Sequence, residues 1–306
     1  MAVVAPVPIL TVTIEPGEEI HLHAGGQGFW VGRMCARLGA DVVLCATFGG
    51  ETGAVLRALI AAEGVEVAGI VSAADNGAYV HDRRSGERTG LAHMAGGPPG
   101  RHAIDDLYGA ALAAGLGAAV TVLTGTSPDG LVPAAFYERL VTDLRANGRL
   151  TVADLSGEAL DAAIRGGAGV VKASAAEVYP DGDQHDPARI TEWMHAAREA
   201  GVGSVIVTRG AEPALALTDH QLLEAAPPRV TVRDASGSGD SLTAAVATAL
   251  ARRSSLRDAL ALGVAAGTMN VTRSGLGTGR AEDIRAMADK VTITVKDAGG
   301  GRTSAG

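Results

Sequence analysis

Apolar residues fall in short runs of about three to six, each broken by a glycine-bearing turn and usually followed by an Ala- and Leu-rich stretch. Runs of that length predict buried strands alternating with helices. Residues 9–14 predict a first buried strand, and residues 20–23 an alternating strand that carries His21 and His23 on one face. A helix is predicted over 29–38, directly after a glycine-rich turn and stopped by Gly39. Residues 42–46 predict the next strand, which leads through a second glycine cluster to a helix over 54–63. From Val67 to about Pro98 the pattern changes to short, polar, glycine-punctuated pieces with a turn at Arg84, Ser85 and Gly86. The alternation then returns, with strands near 120–123, 150–153, 169–171 and 205–207 and helices around 132–147, 158–164 and 187–200. The rhythm predicts an α/β fold with a mostly parallel sheet covered by helices on both faces and joined by right-handed crossovers.

With 306 residues, the chain suits one large α/β domain better than two full-sized ones. Its wealth of Ala and Gly and its few aromatics fit helices packed closely on a sheet. A formal net charge of -8 argues against nucleic acid as a partner, but not against ATP, whose phosphates can be met by local amides and a metal ion. Cys35 and Cys45, the only cysteines, are expected as reduced core residues. The opening residues 1–10 lack a basic leader and contain Pro6 and Pro8, making a poor signal peptide and no membrane span. The protein is expected in the cytoplasm, with no membrane partner. Residues 298–306 show no apolar periodicity and are expected as a flexible tail on a single domain of residues 1–297.

The most informative stretch is 233–241, Arg-Asp-Ala-Ser-Gly-Ser-Gly-Asp-Ser. A short β-branched segment, Val230 to Val232, predicts a strand before it, and residues 241–250 predict a helix after it. Glycines in such a turn let backbone amides approach a ligand, and the first amides of the helix favour an anion. Asp240 fits two roles on spacing alone: a helix-start residue, or a base beside a group being transferred. No Gly-Lys-Ser/Thr follows, so the loop is not a Walker A sequence.

Residues 234–240 resemble the C-terminal signature of the ribokinase-like, or PfkB, carbohydrate kinases, an aspartate and two small residues before Gly-x-Gly-Asp. Other stretches are similar in the same order: Gly25-Gly26-Gln27-Gly28 with Gly49-Gly50-Glu51-Thr52-Gly53, then Lys172 to Glu177, Thr208-Arg209-Gly210, and 265–279. The nearest branch resembles the 1-phosphofructokinase and tagatose-6-phosphate kinase group. The resemblance implies a ribokinase-like fold with a small β-sheet lid, here about 15–24 and 77–97, and homodimerisation through that lid. It implies an ATP- and Mg2+-dependent kinase that phosphorylates a hydroxyl of a sugar or sugar phosphate. Asp240 would be the base, and Gly237, Ser238 and Gly239, with Ala235 and Ser236, would cradle the transferred phosphoryl group. Glu177 would hold Mg2+ through water, with Ser174 where the family has Asn. Thr208 and Gly210 would border the phosphates or ribose, and Gly267, Asn270, Gly275 and Gly277 the adenine.

Gly25, Gly26, Gln27 and Trp30, with Asp240, would meet the acceptor, and here the chain departs from its relatives. Gln27 stands in place of Lys and Trp30 in place of Asn, so an amide and an indole replace a cation and a hydroxyl-binding amide. The early Asn-Pro-x-x-Asp is also altered, reading Glu15-Pro16-Gly17-Glu18-Glu19, where Glu19 is either a substitute acid or a turn residue. Arg83, Arg84 and Arg88 are the cationic group of the lid segment, suited to a phosphate or merely to solvent. These departures leave two further readings: a kinase of a nucleoside or another small alcohol, and a non-catalytic relative that binds sugar or nucleotide.

Overall fold

The computed structural model describes residues 1–306 apart from 87, 181, 183–185, 274–275 and 297–306. Gly275 and the expected tail therefore lie outside the described residues. The chain begins β1 (Ala2–Val4), β2 (Ile9–Ile14), β3 (Ile20–Gly25), α1 (Gln27–Arg37), β4 (Val43–Phe48), α2 (Gly50–Ala62) and β5 (Glu66–Val71). It continues β6 (Ala78–Asp82), β7 (Thr89–Met94), α3 (Arg101–Gly117), β8 (Val120–Thr124), α4 (Ala134–Ala146), β9 (Leu150–Asp154), α5 (Gly157–Gly166) and β10 (Val170–Ser174). The last third holds α6 (Ala175–Val178), α7 (Pro187–Glu199), β11 (Ser204–Arg209), β12 (Glu212–Leu217), β13 (Leu222–Ala226), α8 (Ser238–Ala251), α9 (Leu256–Val271), α10 (Ala281–Ala288) and β14 (Thr292–Lys296).

The large sheet has the order β14-β13-β12-β11-β10-β9-β8-β1-β4-β5. From β11 to β5 its neighbours are parallel, and β12, β13 and β14 add an antiparallel edge. One face buries an apolar cluster shared with α1, α2, α8 and α9, and the other a cluster shared with α3, α4, α5 and α7. Burial on both faces explains why its strands read as continuous Val, Leu, Ile and Ala runs. Among the described residues no helix is long and apolar enough to cross a membrane.

Four local expectations are corrected. The first strand is β1, a buried three-residue piece between β4 and β8, too short to show periodicity and masked by Pro6 and Pro8. Residues 9–14 leave the main sheet and join β3, β6 and β7 in a four-stranded lid of order β3-β2-β6-β7, so the lid includes β2 and residues 66–71 belong to the main sheet instead. A helix absent from the sequence reading, α3, spans 17 residues whose Ala- and Gly-rich second half offers little polar contrast. Val230 to Val232 form no strand: the preceding strand, β13, stops before Pro227 and Pro228, and Val232 is 59% exposed.

Strand pairing sorts the lid into two faces. Thr11 and Thr13 of β2 pair with His23 and His21 of β3 and with Tyr79 and His81 of β6. Leu10, Val12, Ala24 and Ala78 lie on the opposite face, packed into the core beside α2. The lid's roots are tied down by Asn76, 2% exposed. Its carbonyl accepts from Gly49 N–H (2.9 Å), and its amide donates to Pro8 O (2.9 Å) and Thr47 O (3.1 Å). One side chain thereby joins the entries into β2 and β6 to the end of β4, with its carbonyl and both amide hydrogens engaged.

Candidate active site

A cavity of about 420 Å³ lies between the carboxyl ends of β1, β8, β9 and β10 and the polar face of the lid. This is where an open α/β sheet can build a site, because the loops leaving its parallel strands converge there. Gly26, Gln27, Trp30, Glu177 and Asp240 line it, joined by Arg88, Tyr79 and His81 from the lid. The strand-end loops add Thr126, Ser127, Asp129 and Ser156, which the sequence reading did not single out.

Asp240 reaches this cavity because α8 starts at Ser238, three residues earlier than expected, putting the aspartate in the first turn. The helix is entered through Gly237 in the left-handed region (φ 71°), where a Cβ would also meet Leu276 at 2.9 Å. No side chain caps α8; Ser238 N–H donates to Ala235 O over 3.4 Å, which leaves the N–H groups of Gly239 and Asp240 to meet a ligand at the positive end of the dipole. Within the loop, Asp234 accepts from Ser236 N–H (2.9 Å). Burial tends to raise the Asp234 carboxyl, but this hydrogen bonding with Ser236, helped by Arg88 and Arg83, holds it below the usual carboxylate range. Asn270 of α9 donates to Ser236 O (2.7 Å) and accepts from Gly277 N–H (3.1 Å), so its buried side chain is committed to holding two loops together. Gly267 lets α9 pass the start of α8, since a Cβ there would stand 3.0 Å from Ser238 O.

Beneath the loop is a buried charge network. Lys172 Nζ lies 2.9 Å from Asp154 Oδ1, and Thr243 donates to Asp154 Oδ2 at 2.5 Å. The register of β9 and β10 sets Lys172 directly beside Asp154. Lys172 also passes under Gly239, where a Cβ would lie 2.9 Å from Nζ, so only glycine fits without displacing the ammonium. Burial works against the Lys172 charge, yet Asp154, then Glu177 and Asp240, outweigh it and hold the ammonium above its ordinary value. Withdrawal from water pushes the Asp240 carboxyl up to about 7, with Asp154 and Glu177 adding repulsion and Lys172 and a hydrogen bond from Gln27 opposing it. A carboxyl poised near neutrality can take a proton from a hydroxyl at working pH.

Glu177 and Ser174 form a capping box on α6. Ser174 N–H donates to Glu177 Oε2 (2.6 Å), and Glu177 N–H donates to Ser174 Oγ (3.2 Å). One carboxylate oxygen is thereby engaged, while the side chain still borders the cavity. Thr208 ends β11, and Gly210 turns the chain toward β12 at φ 63°. Ser174, Thr208, Gly210, Ala235, Ser236, Gly267, Asn270 and Gly277 all lie outside the cavity lining, as do Gly237, Ser238 and Gly239. They stand along the carboxyl edge of the sheet and around the exposed loop that leads into α8.

Where the lid joins α1, Gly25 ends β3 where a Cβ would press on Thr11 Oγ1 at 2.7 Å, and Gly26 turns into α1 at φ 94°. Gln27 accepts from Gly125 N–H (3.0 Å), and half-buried Trp30 contributes its indole to the cavity wall. Arg88 hydrogen-bonds His81 Nε2 at 2.7 Å. Burial first, then Arg88 and Arg83, lowers the His81 pKa, so the imidazole is neutral and its Nε2 accepts. Arg84 pairs instead with Asp82 in the exposed turn. Tyr79 closes the lid onto the body by a 3.2 Å contact with Ser127 and stacks on His93. Glu19 is exposed and, among the described residues, its carboxylate pairs only with His21, at 3.5 Å, which fits the turn role. Among the described residues no group of three or more His, Cys, Asp or Glu is arranged to hold a metal, and His21 and His23 merely stack.

A large sheet with an open helix start at its carboxyl edge and a small β lid over it defines a ribokinase-like carbohydrate kinase. The chain belongs to the pfkB family of carbohydrate kinases, whose model matches residues 1–283. It is 30% identical over 264 residues to the ATP-dependent 6-phosphofructokinase isozyme 2 of Escherichia coli, covering 82% of each chain. It is likewise 30% identical over 263 residues to the 1-phosphofructokinase of Xanthomonas campestris, covering 78% of each. The crystal structure of E. coli phosphofructokinase-2 with potassium superposes with a TM-score of 0.83 at 25% identity, over 95% of this chain and 98% of that one. A possible 1-phosphofructokinase of Thermotoga maritima superposes with a TM-score of 0.84 at 15% identity, over 97% and 99%. The protein is therefore a sugar kinase, a phosphotransferase with an alcohol group as acceptor.

Proposed function

We propose that the protein transfers the γ-phosphoryl group of ATP to a hydroxyl of a sugar that already carries a phosphate, with Asp240 as general base. The observation that carries this reading is the pairing, within one cavity, of a carboxyl poised near neutrality with a lid arginine, Arg88. Two of the relatives are named for phosphofructose substrates, which supports a phosphorylated acceptor for this chain. Arg88, held by His81, is the anchor for that phosphate, and a forked guanidinium suits it.

Asp240 takes the acceptor's hydroxyl proton as its oxygen forms the new bond to phosphorus, while the bond from phosphorus to the β,γ-bridging oxygen breaks. The N–H groups of Gly239 and Asp240 at the start of α8, framed by Gly237 and Ser238, receive the charge on the transferred group. Lys172, one layer below, adds positive potential to the same point. Thr208, Gly210, Ala235, Ser236, Gly267 and Gly277 border the nucleotide, with Asn270 fixing the loop. Mg2+ fits Glu177, which borders the cavity with only its Oε2 hydrogen-bonded, because this ion binds through one or two carboxylates and substrate phosphates and keeps its waters. Glu177 would hold it through water, and it would neutralise phosphate charge when bound.

The test is ATP consumption with free sugars, sugar phosphates and nucleosides as acceptors. Turnover is expected with a sugar phosphate, and Arg88→Ala is expected to raise the KM for that acceptor by about 10- to 100-fold with kcat within a few-fold. Equal use of free sugars, unaffected by Arg88→Ala, rejects the phosphate anchor; turnover confined to nucleosides favours a ring stacked on Trp30.

The distal part of the lid exposes Ile20, Leu22, Leu91 and Met94, an apolar surface suited to pairing two copies of the chain. Light scattering is expected to give a dimer that Leu22→Glu converts to monomer. A monomeric unsubstituted protein removes this proposal.

A further inference from the structure

Tyr79 and His81 stand two residues apart on β6, so both project from the face of the lid that borders the cavity. Their rings stack, with centroids 5.8 Å apart and planes 16° from parallel. Tyr79 also stacks on His93 of β7 at 4.5 Å, and its hydroxyl lies 3.2 Å from Ser127 Oγ in the loop after β8. The imidazole is therefore braced from the body of the protein. Its Nε2 receives Arg88 Nη2 at 2.7 Å, while Nδ1 is buried with no hydrogen-bond partner. An arginine can only donate, so Nε2 is the bare nitrogen and the ring's proton sits on Nδ1. That tautomer leaves a buried N–H unmatched, and the bond to Arg88 helps to offset its cost.

We infer that His81 is a positioning residue for the acceptor, a neutral imidazole braced by Tyr79 that fixes the Arg88 guanidinium in the cavity wall where the acceptor's phosphate arrives. His81 acts through Arg88, so this role deepens the reading of Arg88 as phosphate anchor and rests on it. Arg88 is exposed on the turn before β7, and an arginine left loose there would lose rotamer freedom each time it bound. A neutral partner removes that loss and leaves the positive charge for the ligand. Arg84 is the contrast, because the Asp82 carboxylate at 2.7 Å already matches its charge.

Burial, Arg88 and Arg83 all work against protonation of the ring. On the same face of the lid, His21 and His23 lie across β2, and His93 lies beyond Tyr79. Asp129, Glu177 and Asp240 face it across the cavity, and the carboxyl of Asp234 is held down in part by Arg88 and Arg83. All of these groups remain when His81 is replaced, so the effect of the ring can be read separately.

The experiment is a double-variant cycle on the KM for a sugar phosphate, each variant being checked for folding by thermal unfolding. His81→Leu is expected to raise that KM about 5- to 10-fold, more than it lowers kcat, with the KM for ATP within a few-fold. Added to Arg88→Ala it is expected to change nothing further, because the group it positions is gone. His81→Gln, whose amide oxygen can accept from Arg88, is expected to recover most of the loss. Protonating His81 turns its acceptor nitrogen into a donor. On acidification the acceptor KM of the unsubstituted enzyme is therefore expected to rise more steeply than that of His81→Gln, whereas protonation of the acceptor's own phosphate weakens both alike. No rise in His81→Leu, an equal rise with and without Arg88, a His81→Gln variant as impaired as His81→Leu, or coincident pH profiles would each overturn the inference while leaving Arg88 as anchor. Arg88→Ala without effect on the acceptor KM removes the anchor itself, whatever His81 does.

Discussion

Asp240→Asn is expected to lower kcat by about 10²- to 10⁴-fold, the usual contribution of a general base, and to make the protein more stable at alkaline pH. The two effects have one cause. In the unfolded chain an aspartate ionises near 3.8, whereas in the folded protein burial pushes Asp240 up to about 7. Between those values the folded state keeps a proton that the unfolded state has released, so this group's contribution to stability is lost as pH rises from about 4 to about 7. Above 7 the cost is fully felt, as much as roughly 4 kcal/mol for a shift of that size. Asparagine cannot ionise and escapes it. Thermal unfolding is therefore expected to show matching melting temperatures at pH 4 and a variant melting several degrees higher at pH 8. Equal melting at pH 8 would mean that the carboxylate is well solvated. Full activity in the variant would mean that the acceptor's proton goes elsewhere.

Lys172→Met is expected to destabilise the protein by roughly 3–5 kcal/mol, because it leaves Asp154 buried with only Thr243 as partner. The size follows from the asymmetry of buried pairs: bringing both charges out of water is costly, and removing one abandons the other. The double variant Asp154→Leu with Lys172→Met is expected to recover most of the loss, since neither charge then remains buried. Urea unfolding of the three variants checks this, and a loss below about 1 kcal/mol in Lys172→Met would show that water reaches the pair. Activity carries a second signature. Lys172 draws the Asp240 pKa down, so its removal is expected to move the acid limb of kcat/KM to higher pH.

The candidate site residues are legible through the resemblance of short motifs, since spacing alone leaves Asp240 between a helix-start residue and a base. The stretch 234–240, the Gly25–Gly28 turn and the Ser174–Glu177 segment are each a local device in the structure, a turn with amides or a cap, and a local device is what a short motif can carry. Asp154 and Lys172 are different. Each is a lone charge at or near the end of an apolar strand, and a lysine inside a run such as Val-Val-Lys-Ala already demands a buried partner. Which partner it takes depends on the register of two parallel strands 18 residues apart, and no local pattern encodes that.

The lid makes the same division visible. The alternation in Ile9–Ile14 marks a strand in any sheet, and only the pairing with β3 and β6 takes it out of the main sheet and turns Thr11, Tyr79 and His81 toward the cavity. Gln27 likewise reads as an amide where relatives carry a lysine, but its bond to Gly125, 98 residues away, exists only once α1 and β8 are packed together. By itself the sequence determined the alternation of strands and helices, the family and the identity of the base candidate, because periodicity and short motifs are local. The tertiary structure decided which charges meet, what pushes the Asp240 carboxyl toward neutrality and which lid residues face the cavity, because burial and long-range strand pairing arise only in the folded chain.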